Sequence, residues 1–336
     1  MPKKRGGRKR LVEQDPQLQV SFQKVLEGHT AGDPMKPDSL WTNLSIRAIA
    51  DRMAQLGSVV GRTIVEQLLQ MARLGHRQAA KNLAMKSNCD RDQQFQTISF
   101  YRELYLDSLD PIISIDTKKR ELLGSFHRRG RSYASEATRV FDHDFPSFAD
   151  GYVIPHGLYD LKRNRGYINL GGSHDTSEFA CDSVYQWWRA EGQTAYPDAK
   201  SLLILCDGGG SNSASQLIFK HDLQSLADRM GIEIRIAHYP PYTSKYNPIE
   251  HRFFAHVARA CEGVIFRGVE QVRHYMAQAS TRTGLTTAVN ILDKIYETGR
   301  KVADGFKKTT RIVFDTVLPR FNYRAIPAIG NREVIL

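Results

Sequence analysis

The sequence predicts an α/β fold, a mixed sheet with flanking helices on both faces, preceded by an all-α helix-turn-helix region. Three observations predict it. Apolar residues recur at helical spacing on either side of Gly57, short β-rich runs begin near residue 110, and helices alternate with strands beyond residue 177.

The opening "MPKKRGGRKR" is basic and glycine-containing, cannot bury a core, and is expected to be disordered. Ile46, Ile49, Ala50 and Met53 follow the i, i+3, i+4, i+7 pattern, and Leu56 closes that face. Ile64, Val65, Leu68, Leu69 and Ala72 repeat it. Gly57 stands between the two, where a tight turn needs a residue without a β-carbon. Two short helices with such a turn suggest a helix-turn-helix, in which Arg62, Thr63 and Glu66 project from the second helix. An ordinary helical hairpin has the same pattern. "KSNCDRDQQF" at 86–95 reads as a linker or the start of an interdomain helix.

"PIISID" (111–116), "ELLGSFH" (121–127) and "RGYINLGG" (165–172) read as three strands. The stretch between the second and third, containing "FDHDFPSFADGYVIPHGLYDL", reads as a loop-rich insertion. The helix "SEFACDSVYQWWRAE" (177–191) and the buried-looking strand "SLLILCD" (201–207) follow. The next helix, 215–231, sets Phe219, Leu223, Leu226, Ala227 and Met230 on one face. The strand "IEIRIAHY" (232–239) leads through a proline-bounded loop into a last helix. The order β-β-β-α-β-α-β-α is that of the ribonuclease H-like fold. The expected domains are a DNA-binding region at 1–95, a catalytic domain at 105–300 and a C-terminal extension at 301–336.

Charge is the first indication of function. The formal net charge is +11, and residues 1–86 carry 15 Lys/Arg against 7 Asp/Glu, most of that excess. A basic balance concentrated in one quarter of a chain favours a polyanionic partner such as nucleic acid. The four cysteines are scattered with no CxxC pair, which argues against zinc and against a disulfide framework, and fits a reducing cytosol. The longest apolar stretch, "LLILC", is too short to span a bilayer, and no signal peptide is recognisable, so a cytoplasmic, nucleoid-associated protein is expected.

Three acids stand where elements end. Asp116 closes the first strand, Asp207 closes the fourth, and Glu250 opens the helix after the fifth. If the first and fourth strands are neighbours, their aspartates meet at one sheet edge and the helix can bring Glu250 to the same point. Converging carboxylates repel unless a cation lies among them. Oxygen donors with open positions suit Mg²⁺, with Mn²⁺ as a substitute; two such ions about 4 Å apart suit in-line phosphoryl transfer. Each acid also has an ordinary reading. A strand-end aspartate is often a turn former. In "NPIE", Asn247 could cap a helix, Pro248 begin it, and Glu250 occupy the third position of a capping box.

The motifs decide between these readings by resemblance. "ISIDTKKRELLGSF", "HDFP" (143–146), "GLYDLKRNRGYINLGGSHDTSEFA", "WW" (187–188), "YPDAKSLLILCDGGGSN", "YPPYTSKYNPIEHR" and "TRTGL" (281–285) run in order across nearly the whole chain. With them the chain resembles a DDE-type insertion-sequence transposase of the Rhodopirellula transposase family, and "PPYTSKYNPIEH" is similar to the final-acid motif of mariner-like transposases. The resemblance implies a catalytic, metal-holding triad of Asp116, Asp207 and Glu250. It implies DNA partners, namely the element's terminal inverted repeats and target DNA, and a homo-oligomer that synapses two ends. "YTSKYNP" departs from the family's loop, though Thr243, Ser244, Lys245 and Asn247 remain. A nuclease of the same fold, or an inert DNA-binding remnant, is the alternative.

Other candidates rank lower. Lys118, Lys119 and Arg120 could hold phosphates or form a solvated turn, and Lys245 is the better phosphate contact. His238 and His251 could orient an acid or water, although a plain core or surface histidine is the commoner case. The glycines at 208–210 are not a P-loop, because no GK[ST] follows. Trp187 and Trp188 fit core packing better than base stacking.

Overall fold

The computed structural model describes residues 11–328, apart from 28–29, 34–35, 43, 76–89, 132, 134, 214–215 and 304. The basic opening tail lies outside the described residues. The chain divides into two compact units, Met1–Leu83 and Ala84–Leu336.

In the first unit the described elements are α1 (Leu11–Gln14), α2 (Pro16–Glu27), β1 (Thr30–Asp33), β2 (Lys36–Thr42), α3 (Ile46–Gln55) and α4 (Arg62–Met71). Ser45 starts α3 by accepting a hydrogen bond from the Ala48 N–H at 3.1 Å. Gly57 turns the chain between α3 and α4 with φ +89°. Phe22 and Val25 of α2, Ile49 and Met53 of α3, and Val65 and Leu68 of α4 share one buried core. Arg62, Thr63 and Glu66 are exposed on α4. The region is not all-α, because β1 and β2 pair antiparallel as a hairpin. Gly32, Pro34 and Pro37 make that stretch read as loop, and ladder pairing is a non-local effect that composition does not carry.

The second unit is built on a nine-stranded mixed sheet. Its elements are α5 (Arg91–Leu106), β3 (Ile112–Thr117), β4 (Glu121–Leu123), β5 (Gly151–Asp160), β6 (Arg165–Gly171), α6 (Ser177–Trp187), α7 (Gln193–Ala195), β7 (Ser201–Cys206), α8 (Leu217–Met230) and β8 (Glu233–His238). A π-helical turn, Glu250–Phe254, then runs into α9 (Ala255–Ala260). The chain ends with α10 (Val269–Met276), β9 (Thr286–Leu292), α11 (Phe306–Thr309), β10 (Ile312–Phe314) and β11 (Asn322–Ala325). The sheet order is β10-β11-β8-β7-β3-β5-β6-β9, with β4 paired to β5. Central β3 runs parallel to β7 and antiparallel to β5, which is antiparallel to β6; β7 and β8 are parallel. This is the expected ribonuclease H-like sheet, and it makes β3 and β7 neighbours.

The sequence-based strand list needs two corrections. The second central strand is β5, inside the stretch that reads as a loop-rich insertion, whereas the run at 121–127 supplies only the short β4. The segment beyond 300 is not a separate extension, because β11 pairs with β8 and β10 with β11. Pro155 and two glycines disguise β5, and strands of three or four residues give β10 and β11 too little period to read.

One face of the sheet is covered by α6 and α8, whose Val184, Trp187, Phe219 and Leu226 pack on Ile113, Ile115 and Ile204. Trp187 and Trp188 both belong to this core. On the other face Ile249, Phe253, Phe254 and Val257 pack against Val153, Tyr159 and Ile168. Two glycines seat that helix. A β-carbon at Gly157 would lie 2.4 Å from the Phe254 ring, and one at Gly166 would lie 2.1 Å from the Phe253 ring. Without side chains there, the rings lie flat on β5 and β6, each burial worth about 2 kcal/mol. Among the described residues no helix is long and apolar enough to cross a membrane.

Candidate active site

The two strands whose C-terminal ends matter lie side by side. Asp116 is near the end of β3, opposite Gly157 of β5, and Asp207 directly follows β7. Glu250 is the first residue of the π-helical turn, a distortion common where a helix must re-aim a side chain. The loop before that turn is bolted to β3. Ser114 donates its hydroxyl to the Asn247 side-chain oxygen, and the Ile249 N–H donates back to Ser114 at 3.1 Å. The Asn247 amide donates to the Ile115 carbonyl at 3.2 Å. All of these groups are buried, so the start of the turn is fixed against the strand that carries Asp116.

These bonds leave no room for a capping box at Glu250. Asn247 spends its side chain on β3, and its backbone N–H goes to the Ser244 carbonyl at 2.8 Å. The Glu250 side chain instead shares a hydrogen bond with Asp116. Burial, the negative charge of Asp207, and Glu250 together push the Asp116 carboxyl up to about 7, against a single stabilising bond from the Thr117 N–H. Asp207 is also raised, first by burial and then by the charges of Asp175 and Glu250. Among the described residues no group of three or more His, Cys, Asp or Glu side chains is placed to hold a metal ion. Three carboxylates, two of them with raised pKa values, are nevertheless the oxygen-donor chemistry that suits a hard divalent cation.

Sequence reasoning missed Asp175. It lies in the loop between β6 and α6, accepts from Thr117 Oγ1 at 3.1 Å and from Ser211, and so bridges the loops after β3 and β7. Its one sequence signal is its place just before Thr176, which caps α6 through the Phe179 N–H.

The basic candidates divide. The Lys118 ammonium is paired with Glu121, which also binds Arg128, so Lys118 is not a free phosphate contact. Lys119 and Arg120 are exposed, and with Tyr152, His174 and Asp175 they line an open cavity of about 340 Å³ beside Thr117. Lys245 is exposed, with its ammonium 5.1 Å from the Tyr246 ring centre. His251 is exposed, whereas His238 is buried behind Asp207.

A family model described as Rhodopirellula transposase DDE domain matches residues 21–327. The chain belongs to this family. It is a DDE-type transposase. No curated protein sequence matches the transposase. Among solved structures it is similar to the Mos1 transposase paired-end complex with left transposon end, at 15% identity and a TM-score of 0.43 over 82% of this chain and 73% of that one. It is similar in the same measure, 15% and 0.43 over 82% and 73%, to the mariner Mos1 paired-end complex with Mg. A pre-cleavage Mos1 transpososome gives 14% identity and a TM-score of 0.42 over the same shares.

Proposed function

We propose that this transposase cuts DNA at the ends of a mobile element and joins the freed end to target DNA, with Asp116, Asp207 and Glu250 as the catalytic carboxylates. The observation that carries this reading is the surroundings of Asp116. It stands at a strand end, with Asp207 at a neighbouring strand end and Glu250 at a helix start, and burial together with the charges of those two acids raises it to about 7. In the first step a water oxygen attacks a phosphodiester phosphorus, the bond to the 3′ oxygen breaks, and that oxygen leaves as a hydroxyl. In the second step that hydroxyl attacks a target phosphorus and displaces the target's own 3′ oxygen. One P–O bond forms for each one broken, so no nucleotide cofactor is needed.

Asp116, Asp207 and Glu250 would hold two Mg²⁺ ions, which when bound supply charge stabilisation to the attacking and leaving oxygens. The residues themselves have separable tasks. The Asn247–Ser114 contact holds Glu250 facing β3. Asp175 ties the two strand-end loops together. Lys119 and Arg120 offer cations to the phosphates of the strand beside the site, and Lys245 offers another ahead of Glu250. In the first unit, Arg62, Thr63 and Glu66 on α4 would enter the major groove of the terminal inverted repeats. Two copies would bring two ends together.

A strand-transfer assay with labelled element ends tests the reading. Joined product is expected with Mg²⁺ or Mn²⁺, and none with a chelator or with Ca²⁺, which is larger and coordinates more loosely. Cut ends that are never joined would make the protein a nuclease of this fold. Joining that persists in chelator would move the chemistry to other residues.

A further inference from the structure

Behind Asp207 lies a run of buried polar groups that the chemistry above does not use. His238, at the end of β8, is fully buried. Its Nδ1 is 2.9 Å from the backbone carbonyl oxygen of Asp207 and 3.3 Å from the Cys206 sulfur. A carbonyl has no proton to give, so Nδ1 carries the hydrogen and donates. Nε2 is then an acceptor, and it takes the hydroxyl hydrogen of Tyr323 at 2.8 Å. Tyr323 is itself fully buried and belongs to β11, two residues after Phe321, whose carbonyl accepts the backbone N–H of His238 at 2.9 Å.

The knot has a second strand. The Gln94 amide donates to the His238 carbonyl at 2.9 Å and to the Asn322 side-chain oxygen at 2.9 Å. The Asn322 amide returns a bond to Gln94 at 2.7 Å. Helix α5 and β11 thus both bond to His238 of β8, α5 at its backbone carbonyl and β11 at its ring, and the imidazole Nδ1 meets the backbone of Asp207. Three glycines follow Asp207 directly.

We propose that His238 and Tyr323 are positioning residues for Asp207. The C-terminal strand orients the imidazole, and the imidazole sets the peptide plane from which the Asp207 carboxylate is aimed. The inference rests on reading Asp207 as a metal-holding carboxylate, for which outer hydrogen-bond partners fix geometry and affinity. Burial alone also demands partners for a polar ring, and that simpler account predicts lost stability with unchanged metal affinity.

The two accounts separate in Mn²⁺ binding to the full chain, followed by the electron-spin signal of free Mn²⁺ alongside a thermal melt. His238→Leu removes the donor and should weaken binding about tenfold or more. His238→Asn puts an amide donor near the Nδ1 position and should restore most of it. Tyr323→Phe removes one oxygen, keeps the ring, and should fall between them. Wild-type affinity in folded His238→Leu, or equal affinity in the Leu and Asn variants, overturns the proposal. If His238→Leu does not fold, Tyr323→Phe decides, and unchanged affinity there overturns it. A wild-type chain that binds no Mn²⁺ at all refutes the metal reading itself, and this inference with it.

Discussion

Two acids five positions apart in the chain, Asp116 and Glu121, live in opposite electrostatic worlds. Glu121 is buried and Asp116 largely so. Burial works against the charge on Glu121, but Lys118 and Arg128 outweigh it and draw the carboxyl below its usual range. Arg128 is held in turn by the Leu122 carbonyl at 3.2 Å and by the Phe266 ring, 3.9 Å from its centre. Asp116 receives no such help. Burial is joined by the charges of Asp207 and Glu250, and its carboxyl rises to about 7. The fold places cations against a buried acid at Glu121, whereas among the described residues no cation is paired with Asp116. Structural acids come with their counter-charges built in, whereas the acids proposed for catalysis are kept waiting for theirs.

The largest effects should come from neutralising the waiting acids. Asp116→Asn, Asp207→Asn and Glu250→Gln should each lower strand transfer at least about a hundredfold, while binding to element ends persists. Glu250→Gln is the sharpest of these. Glutamine would serve a capping box as well as glutamate, yet the Asn247 N–H that such a box needs already bonds to Ser244. Near-wild-type strand transfer by Glu250→Gln would remove it from the triad.

A smaller effect, of a different kind, is expected at Glu121. Glu121→Gln leaves Lys118 and Arg128 facing a neutral amide, and should cost about 3 kcal/mol of stability. Strand transfer per folded molecule should stay within a few fold. A variant that melts like wild type but loses activity as Asp116→Asn does would place Glu121 with the waiting acids, and the contrast would collapse.

How much of this the sequence shows depends on how local each signal is. Asp116 and Asp207 follow mostly apolar runs, "IISI" and "LLILC", which β-sheet burial on both faces demands, so both strands were legible. The one-sided pattern of α8 was equally plain, and Phe219, Leu223, Leu226, Ala227 and Met230 are all buried. Strand β5 was hidden because its glycine answers a packing partner, Phe254, almost a hundred residues away. Asp175 was hidden because its partners, Thr117 at the end of β3 and Ser211 in the loop after β7, come to it from distant parts of the chain. The pairing of Lys118 with Glu121 is local, but sequence alone gave it no precedence over a phosphate.

The smallest expected effect concerns pH, and its sign follows from Asp116. The carboxyl's ordinary value is 3.8, and the fold raises it to about 7. Folding therefore favours the protonated acid. The stability linked to Asp116 is fully present below about pH 3.8 and is lost as pH rises through 7. In chelator, across that window, the loss should be on the order of 2 kcal/mol, reduced from the full linkage value because the site is partly open to water. Asp116→Asn cannot ionise, so its stability should change less over the same range and exceed that of wild type at pH 8. Added Mg²⁺ favours the ionised acid, so the melting-temperature gain it gives wild type should be small at pH 5 and larger at pH 8. Glu121 is drawn below its usual range by Lys118 and Arg128, so Glu121→Gln should keep the wild-type slope from pH 5 to 8. Thermal melts of the three proteins, with chelator and with Mg²⁺, check all of this at once. A wild-type pH slope retained by Asp116→Asn would show that the raised acid lies elsewhere, and the comparison between the two carboxylates would lose its basis.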